Sequence, residues 1–487
     1  MNKAKTNTLK NRPFIGRKAE LSRLKEQVQK GSAAFIVIKG RRRIGKSRLI
    51  EEFGKSFEAY YKLEGLAPLA GMTLETHLEE FSNQISRVFQ APKAQYHDFS
   101  DAFQAIGERV SRGKVLVFLD ELSWMGTEDP AFLAKLKMVW DNLFSKNPKL
   151  VLVVCSSVSA WINQNLLSST AFVGRISLTL TLDELSLGEC SQFWPEGISA
   201  YEELKILGLT GGVPRYLEEI NPKISAEENI RRLCFIEGGF FVHEFDRIFS
   251  DLFLRNSPFY EKIIRLLSSG SKEITEMQLL LCQGSDAQYI GRLPEYLSEL
   301  EEAGFIRRDF TWNLKTGQDS KFSQFRLCDN YLRFYLKYIE PQRSKIRRGT
   351  YVMKSLASLN EWPVILGLQF ENLVLNNRAF IHQALGVNPG DIVCENPFFQ
   401  RKTARRAGCQ VDYMIQAKFN NLYVCEIKFS VDPIGVSVIE EVKRKISALS
   451  LPQGYSYRPI LIHVNGVTSG LEEADYFSEI VDMSQCF

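Results

Sequence analysis

The chain has 487 residues, too many for one core, and at about 150 residues per domain it divides into roughly three. Hydrophobic residues make up 45% and charged residues 24% of it, the balance of a globular protein, so disorder is excluded as the default state. The formal net charge of +4 is close to neutral for this length. Overall charge therefore excludes itself as a route to nucleic acid, and any basic surface has to be local.

The first residues, MNKAKTNTLKNRP, contain no apolar stretch and read as no secretory leader. Apolar runs such as 33–38 and 150–155 are far too short to span a bilayer, so no membrane contact and a cytoplasmic location are expected. Nine cysteines carry no CxxC spacing and mostly sit in apolar surroundings, which fits reduced core thiols. The five histidines show no ligand spacing.

Residues 33–57 read as a short apolar strand, a glycine-bracketed loop and an amphipathic helix. The loop, GRRRIGKS at 40–47, matches GxxxxGK[ST] in the strand-then-helix setting that gives the motif meaning. Its amides and those of the first helical turn would point at phosphate oxygens, helped by the helix dipole. Gly40, Arg41, Ile44, Gly45, Lys46, Ser47 and Arg48 are thus the positions expected to meet ATP. Lys46 would neutralise the β- and γ-phosphates and the Ser47 hydroxyl would ligate Mg²⁺. Gly40 and Gly45 let backbone approach the ligand closely.

The run KVLVFLDELSW, 114–124, is a continuous apolar strand ending in Asp120 and Glu121, as a buried parallel strand does. Ligands of open α/β sheets lie beyond the carboxyl ends of such strands. Asp120 can hold Mg²⁺ through water there, and Glu121 can orient and deprotonate the attacking water. A third strand, 149–157, ends in Ser156 and Ser157, hydroxyls placed to sense a γ-phosphate. Arg175 opens another strand and reads in two ways: an arginine finger acting in trans, which would require a homo-oligomer, or a surface cation.

With FIGRKAEL at 14–21, VGR at 173–175 and GLTGGVPRYL at 208–217, the chain resembles the archaeal-type ATPases of the AAA+/STAND group. That resemblance implies a parallel sheet flanked by helices and followed by a helical lid. It would set 14–17 near the adenine and begin the lid at 211–214. Gly-Gly before Val-Pro independently marks a turn that stops one helix and starts the next. Arg215 reads as a second sensor or a surface arginine.

From 258 to 340 helical periods precede a short hairpin pattern. Leu293, Leu297 and Leu300 share one face and Gly304 ends that helix. Helices followed by a strand pair fit a winged helix-turn-helix, which the same ATPases typically carry here. The reading helix ends acidic, at ELEEAG, so the module serves either DNA or protein contacts. EPQRSKIRRG, 340–349, reads as a basic linker.

GCQVDYMIQAKFNNLYVCEIKFS, 408–430, alternates as a hairpin, yet carries Asp412, Glu426 and Lys428. Glu426 and Lys428 share a strand face, and Asp412 joins them if the turn is odd-numbered or bulged. Two close carboxylates need a cation or a proton between them, and oxygen-ligated Mg²⁺ is one solution. The pattern resembles the PD-(D/E)xK nuclease superfamily, with Glu371 in the apolar helix GLQFENLVLNN supplying the further acid that superfamily adds. Catalytic roles for Glu371, Asp412, Glu426 and Lys428, with Asp412 and Glu426 on the metal, are what the resemblance implies. Basic stretches at 401–408 and 442–445 would track a phosphodiester backbone or simply aid solubility.

The expected fold is therefore α/β: a P-loop NTPase core over 1–207, a helical lid over 208–257, a winged helix over 258–340 and a restriction-endonuclease-like domain over 341–487. The expected function is an ATP-hydrolysing switch acting on DNA and coupled to a metal-dependent nuclease. The alternative is an ATP-dependent regulator or signalling scaffold whose nuclease-like domain does not cut.

Overall fold

The computed structural model describes residues 13–67, 71–252, 257–282, 285–404 and 406–487. The polar N-terminal stretch 1–12, Gly284 of the polar break and Arg405 of the basic stretch lie outside them. The chain parts into two compact units, Met1–Asp183 and Glu184–Phe487.

The first unit is built on five parallel strands: β1 (Ala34–Lys39), β2 (Ala59–Glu64), β3 (Val115–Asp120), β4 (Leu150–Cys155) and β5 (Ile176–Thr181). Their order is β2-β3-β4-β1-β5. Every residue of β3 and β4 is buried, as is all of β1 except its last residue, while β2 and β5 at the edges are mostly half-buried. This explains the uninterrupted apolar character of the central runs, since helices cover both faces of a parallel sheet. Helix α1 (Lys46–Gly54) follows β1, and α2 (Leu74–Phe89) follows β2 with Thr73 as its N-cap. Helix α3 (Phe132–Asn142) precedes β4.

In the second unit α4 (Ala200–Thr210) stops at Gly211, whose φ of 61° is left-handed, and α5 (Pro214–Leu217) restarts with proline in its first turn. The turn expected from Gly-Gly-Val-Pro is present. After helices over Ala226–Cys234 and Glu244–Leu252 come α6 (Ser257–Ser268), α7 (Ile274–Leu281) and α8 (Leu293–Glu302), then the antiparallel pair β6 (Ile306–Trp312) and β7 (Asp319–Leu327). Leu293, Leu297 and Leu300 form the buried face of α8.

The tip of this pair is not free. Trp312 and Leu314 are buried in one core with Phe398, Val411 and Met414 of the C-terminal sheet. Trp312 Nε1 donates to Gln416 Oε1 at 2.6 Å, and Gln416 Nε2 returns a bond to the Leu314 carbonyl at 2.9 Å. Truncating this anchor, Trp312→Ala, is expected to cost about 3–5 kcal/mol of stability and to leave Gln416 Oε1 without its donor. Chemical denaturation followed by circular dichroism reads that loss.

The expected linker at 340–349 is also structured: residues 343–347 are helical and Ile346 is buried. Helix α9 (Asn330–Phe334) precedes it and α10 (Trp362–Asn376) follows. Between them runs a buried polar network. Arg333 donates to Gln369 Oε1 at 2.6 Å and to the Leu327 carbonyl at 2.7 Å. Asn372 donates to Asn330 Oδ1 at 2.9 Å, and Asn330 donates to the Leu207 carbonyl of α4 at 3.1 Å. Arg326 joins Asp309 at 2.8 Å and also bonds Asn372. Burial without a carboxylate partner brings the Arg333 guanidinium down to about 10, an effect the charge of Glu371 partly opposes.

The last elements run α10, β8 (Ile392–Gln400), β9 (Cys409–Ala417), β10 (Asn421–Ile427), α11 (Ser437–Ala448), β11 (Ser456–His463) and β12 (Glu479–Asp482). Their sheet has the order β12-β11-β10-β9-β8, with β8, β9 and β10 antiparallel in succession and β10, β11 and β12 parallel. Among the described residues no helix is long and apolar enough to cross a membrane, and all nine cysteines are free.

Candidate functional site

The strand order puts β4 between the strand that feeds the glycine loop and the strand that ends in the acids. Parallel strands bring all three carboxyl ends to one edge, so the features spaced along the sequence meet there.

At the loop, Gly40 has φ 143°, and a Cβ on it would lie 2.5 Å from the Leu182 carbonyl oxygen, so no other residue fits. Gly45, with φ 91°, turns the chain into α1. Lys46, buried, donates to the carbonyl oxygens of Gly40 at 2.8 Å and Arg41 at 3.1 Å. The ammonium is thus held inside the loop by groups it can exchange for phosphate oxygens. The side chains of Arg41 and Ile44 are buried and that of Arg48 is half-buried. Upstream, Arg17 donates to the carbonyls of Ile44 at 3.2 Å and Asp183 at 2.5 Å, tying segment 14–17 to the loop.

Asp120 is surrounded by donors. Its Oδ2 accepts from Ser47 Oγ at 2.8 Å and from Lys62 Nζ at 2.8 Å, and its Oδ1 from Cys155 Sγ at 2.8 Å. Burial works against the charged carboxylate, yet the Lys62 charge and the three donors outweigh it and hold the pKa below the usual value. A hydroxyl beside an ionised carboxylate is an oxygen-only donor set, which fits Mg²⁺.

Glu121 begins the next turn with a left-handed φ of 53°. Its Oε2 accepts from the amide and the hydroxyl of Ser157, each at 2.8 Å. Burial raises its pKa, against the opposing Lys46 charge and the Ser157 donors, which is the direction a general base requires. Ser156 does not share this role: its hydroxyl lies 2.6 Å from Ser123 Oγ in the interior. Arg175 makes a two-pronged bond to Asp141 at 2.7 and 2.9 Å, holding that carboxyl at about 2. Arg215 pairs with Glu218 and Glu219, just past the end of α5, at 3.2 and 2.5 Å.

Residues 14–220 match the model of a family described as an ATPase domain predominantly from Archaea. The match supports ATP binding and hydrolysis by residues 14–220 and does not extend to the C-terminal sheet. The chain is also similar to the uncharacterized protein MJECL04 of Methanocaldococcus jannaschii, 27% identical over 368 residues that cover 74% of this chain and 76% of that protein. Among solved structures it is similar to the Walker-type ATPase paby2304 of Pyrococcus abyssi, with TM-score 0.48, 17% identity and coverage of 66% of this chain and 96% of that one. It is similar too to the ORC2 protein of Aeropyrum pernix in its ADPNP–ADP complexes, with TM-score 0.42, 16% identity and coverage of 70% and 96%.

Further along the chain, past the matched residues, lies the acidic hairpin. Residues 418–420 form a three-residue loop between β9 and β10, so the odd-numbered turn brings Asp412 opposite Glu426. Asp412 Oδ2 accepts from the Ile427 amide at 3.0 Å. Sequence reasoning missed the group between the carboxylates: Lys445 Nζ, on α11, donates to Asp412 Oδ1 at 3.1 Å and Glu426 Oε2 at 2.6 Å. Lys428 pairs with Glu426 at 3.2 Å and Glu441 at 2.6 Å. Burial, and then the charge of Asp412, raise the carboxyls of both Glu426 and Glu371, with Lys445 opposing in each case. Glu371, half-buried on α10, is therefore within electrostatic reach of the pair.

Among the described residues no group of three or more His, Cys, Asp or Glu is placed to hold a metal ion. The cation that two facing carboxylates require is supplied in this structure by the Lys445 ammonium. The neighbouring basic stretches are likewise engaged: Arg401 bonds Glu273 and lies over the Phe322 ring at 4.2 Å, and Lys443 pairs with Glu440 at 3.0 Å.

Proposed function

We propose that this protein is an ATP-hydrolysing switch whose C-terminal domain is restriction-endonuclease-like in fold but holds a DNA partner without cutting it. The hydrolytic half of the reading is carried by one observation: Ser47, Asp120 and Glu121 converge beside the glycine loop, with Ser47 Oγ 2.8 Å from Asp120 Oδ2. In this reading the loop amides and Lys46 bind the triphosphate. Ser47 and Asp120 would hold Mg²⁺, which when bound neutralises charge on the phosphate oxygens. Glu121 takes the proton from the attacking water, and Ser157 keeps its carboxylate aimed. Arg175 acts in trans only if a second copy draws it from Asp141.

The C-terminal reading rests on the succession from α10 to β11, two helices (α10 and Arg378–Ala384), three strands, a helix and a strand, and on the facing Asp412 and Glu426. Lys445 between them favours binding over cleavage. The 258–340 segment, read as a winged helix, has its strand tip buried against the C-terminal sheet, which favours a structural use of the wing.

The test is a cleavage and binding assay on linear, branched and single-stranded DNA in Mg²⁺ or Mn²⁺, with ATP, ADP or neither. The expected result is binding that weakens steeply with salt and no nicking. Metal-dependent nicking by the wild type that disappears in Asp412→Ala would replace this reading with the nuclease. Absence of binding at low salt would replace it with a DNA-independent scaffold.

A further inference from the structure

Lys62 on β2 has no part in the phosphate-loop motif, yet its ammonium occupies one of the three donor positions on Asp120. A divalent cation seated between Ser47 and Oδ2 meets that oxygen's two lone pairs already taken and an ammonium beside it, so a donor has to leave. Ser47 belongs to the same donor set and Cys155 is wholly buried. Lys62, 28% exposed, is the one with a way out. Its second partner shows where that way leads: Glu64 Oε2 lies 3.4 Å from Nζ and is 55% exposed.

Residues 62 and 64 share one face of β2, and both line an open groove of about 570 Å³ with Gly65, Gln84, Arg87 and Trp124. Gln84 of α2 fixes the end of the strand, accepting from the Glu64 amide at 2.8 Å and donating to its carbonyl at 2.9 Å. The backbone that carries the second acceptor is therefore held in place, while the Lys62 ammonium can swing toward it on its stem.

We propose that Lys62 is a built-in counter-ion of Asp120 that gives up its place when a divalent cation enters with the nucleotide, its ammonium passing to Glu64. The proposal rests on Ser47 and Asp120 being the metal-holding pair. Without metal, Lys62 cancels the Asp120 charge that would otherwise repel the triphosphate. With metal, the same ammonium is a competitor. Lys62 thereby sets how strongly nucleotide binding depends on the metal, a positioning role rather than a chemical one.

The linkage gives the test its sign. In the full chain, a non-hydrolysable ATP analogue is titrated by calorimetry in EDTA and in Mn²⁺, and Mn²⁺ occupancy is read by electron paramagnetic resonance. Lys62→Met is expected to weaken metal-free analogue binding about fivefold and to tighten Mn²⁺ about tenfold, opposite signs from one substitution. Lys62→Arg, keeping the charge, should stay within about threefold of wild type in both arms. Glu64→Gln, at an exposed position, should move the metal arm alone, weakening Mn²⁺ about threefold.

Lys62→Met weakening both arms together, or moving neither, would overturn the proposal, because a merely structural lysine does the first and a bystander the second. Should Lys62→Met fail to fold, an unchanged metal arm in Glu64→Gln overturns it instead. Asp120→Asn separates the underlying assignment: unaltered Mn²⁺ binding there would remove Asp120 from the metal pair, whatever Lys62 does.

Discussion

Lys46→Ala is expected to lower ATP turnover about a thousandfold, because it removes the one ammonium held inside the phosphate loop. Lys46 Nζ rests on the carbonyls of Gly40 and Arg41 at 2.8 and 3.1 Å, so it is aimed before any ligand arrives. The same substitution strips two buried carbonyls of a charged donor and is expected to cost about 2 kcal/mol of stability. Phosphate release measured below the variant's own melting temperature separates the two effects. Near-normal turnover in a folded variant would remove the loop from the mechanism.

Glu121→Gln is the second large effect, about a hundredfold or more in turnover with nucleotide binding retained. Glutamine still accepts from Ser157 but cannot take a proton from water. The pH dependence carries its own signature. Burial raises the Glu121 pKa, so the protonated, inactive form persists to higher pH than an ordinary glutamate allows. Turnover should rise with pH through that raised value and then level off, and the limb should vanish in Glu121→Gln. Ser157→Ala removes one of the donors that hold the pKa down and should move the limb to higher pH. A limb that survives in Glu121→Gln would assign the titration to another group.

What could be read from the sequence was local. Residues 40–47 carry their own chemistry in eight consecutive positions, and the apolar run into Asp120 and Glu121 states its burial plainly. The facing of Asp412 and Glu426 was legible only as a condition, an odd-numbered or bulged turn, which the three-residue loop meets. The partners of these groups were not legible. Lys62 reads as an unremarkable lysine of an edge strand, since nothing in AYYKLE says that Asp120, 58 residues on, lies beside it. Lys445 reads as one of three cations in VKRK, and only the packing of α11 on the sheet separates it from Lys443 and Arg444. The burial of Trp312 and Leu314 was hidden in TWNLKTG, a stretch with the composition of a solvated turn. The expected linker at 340–349 failed for a similar reason, as one isoleucine among cations is a weak periodic signal.

The amide and guanidinium ties among Asn330, Arg333, Gln369 and Asn372 bear on how such chains can be rearranged. A gene fusion or deletion joined near residue 340 would strand half of each tie in a separate polypeptide, baring polar groups shaped only for one another. Recombination between relatives is survivable there only if both sides travel together, so the stretch from Leu207 to Asn372 has to be inherited as one piece.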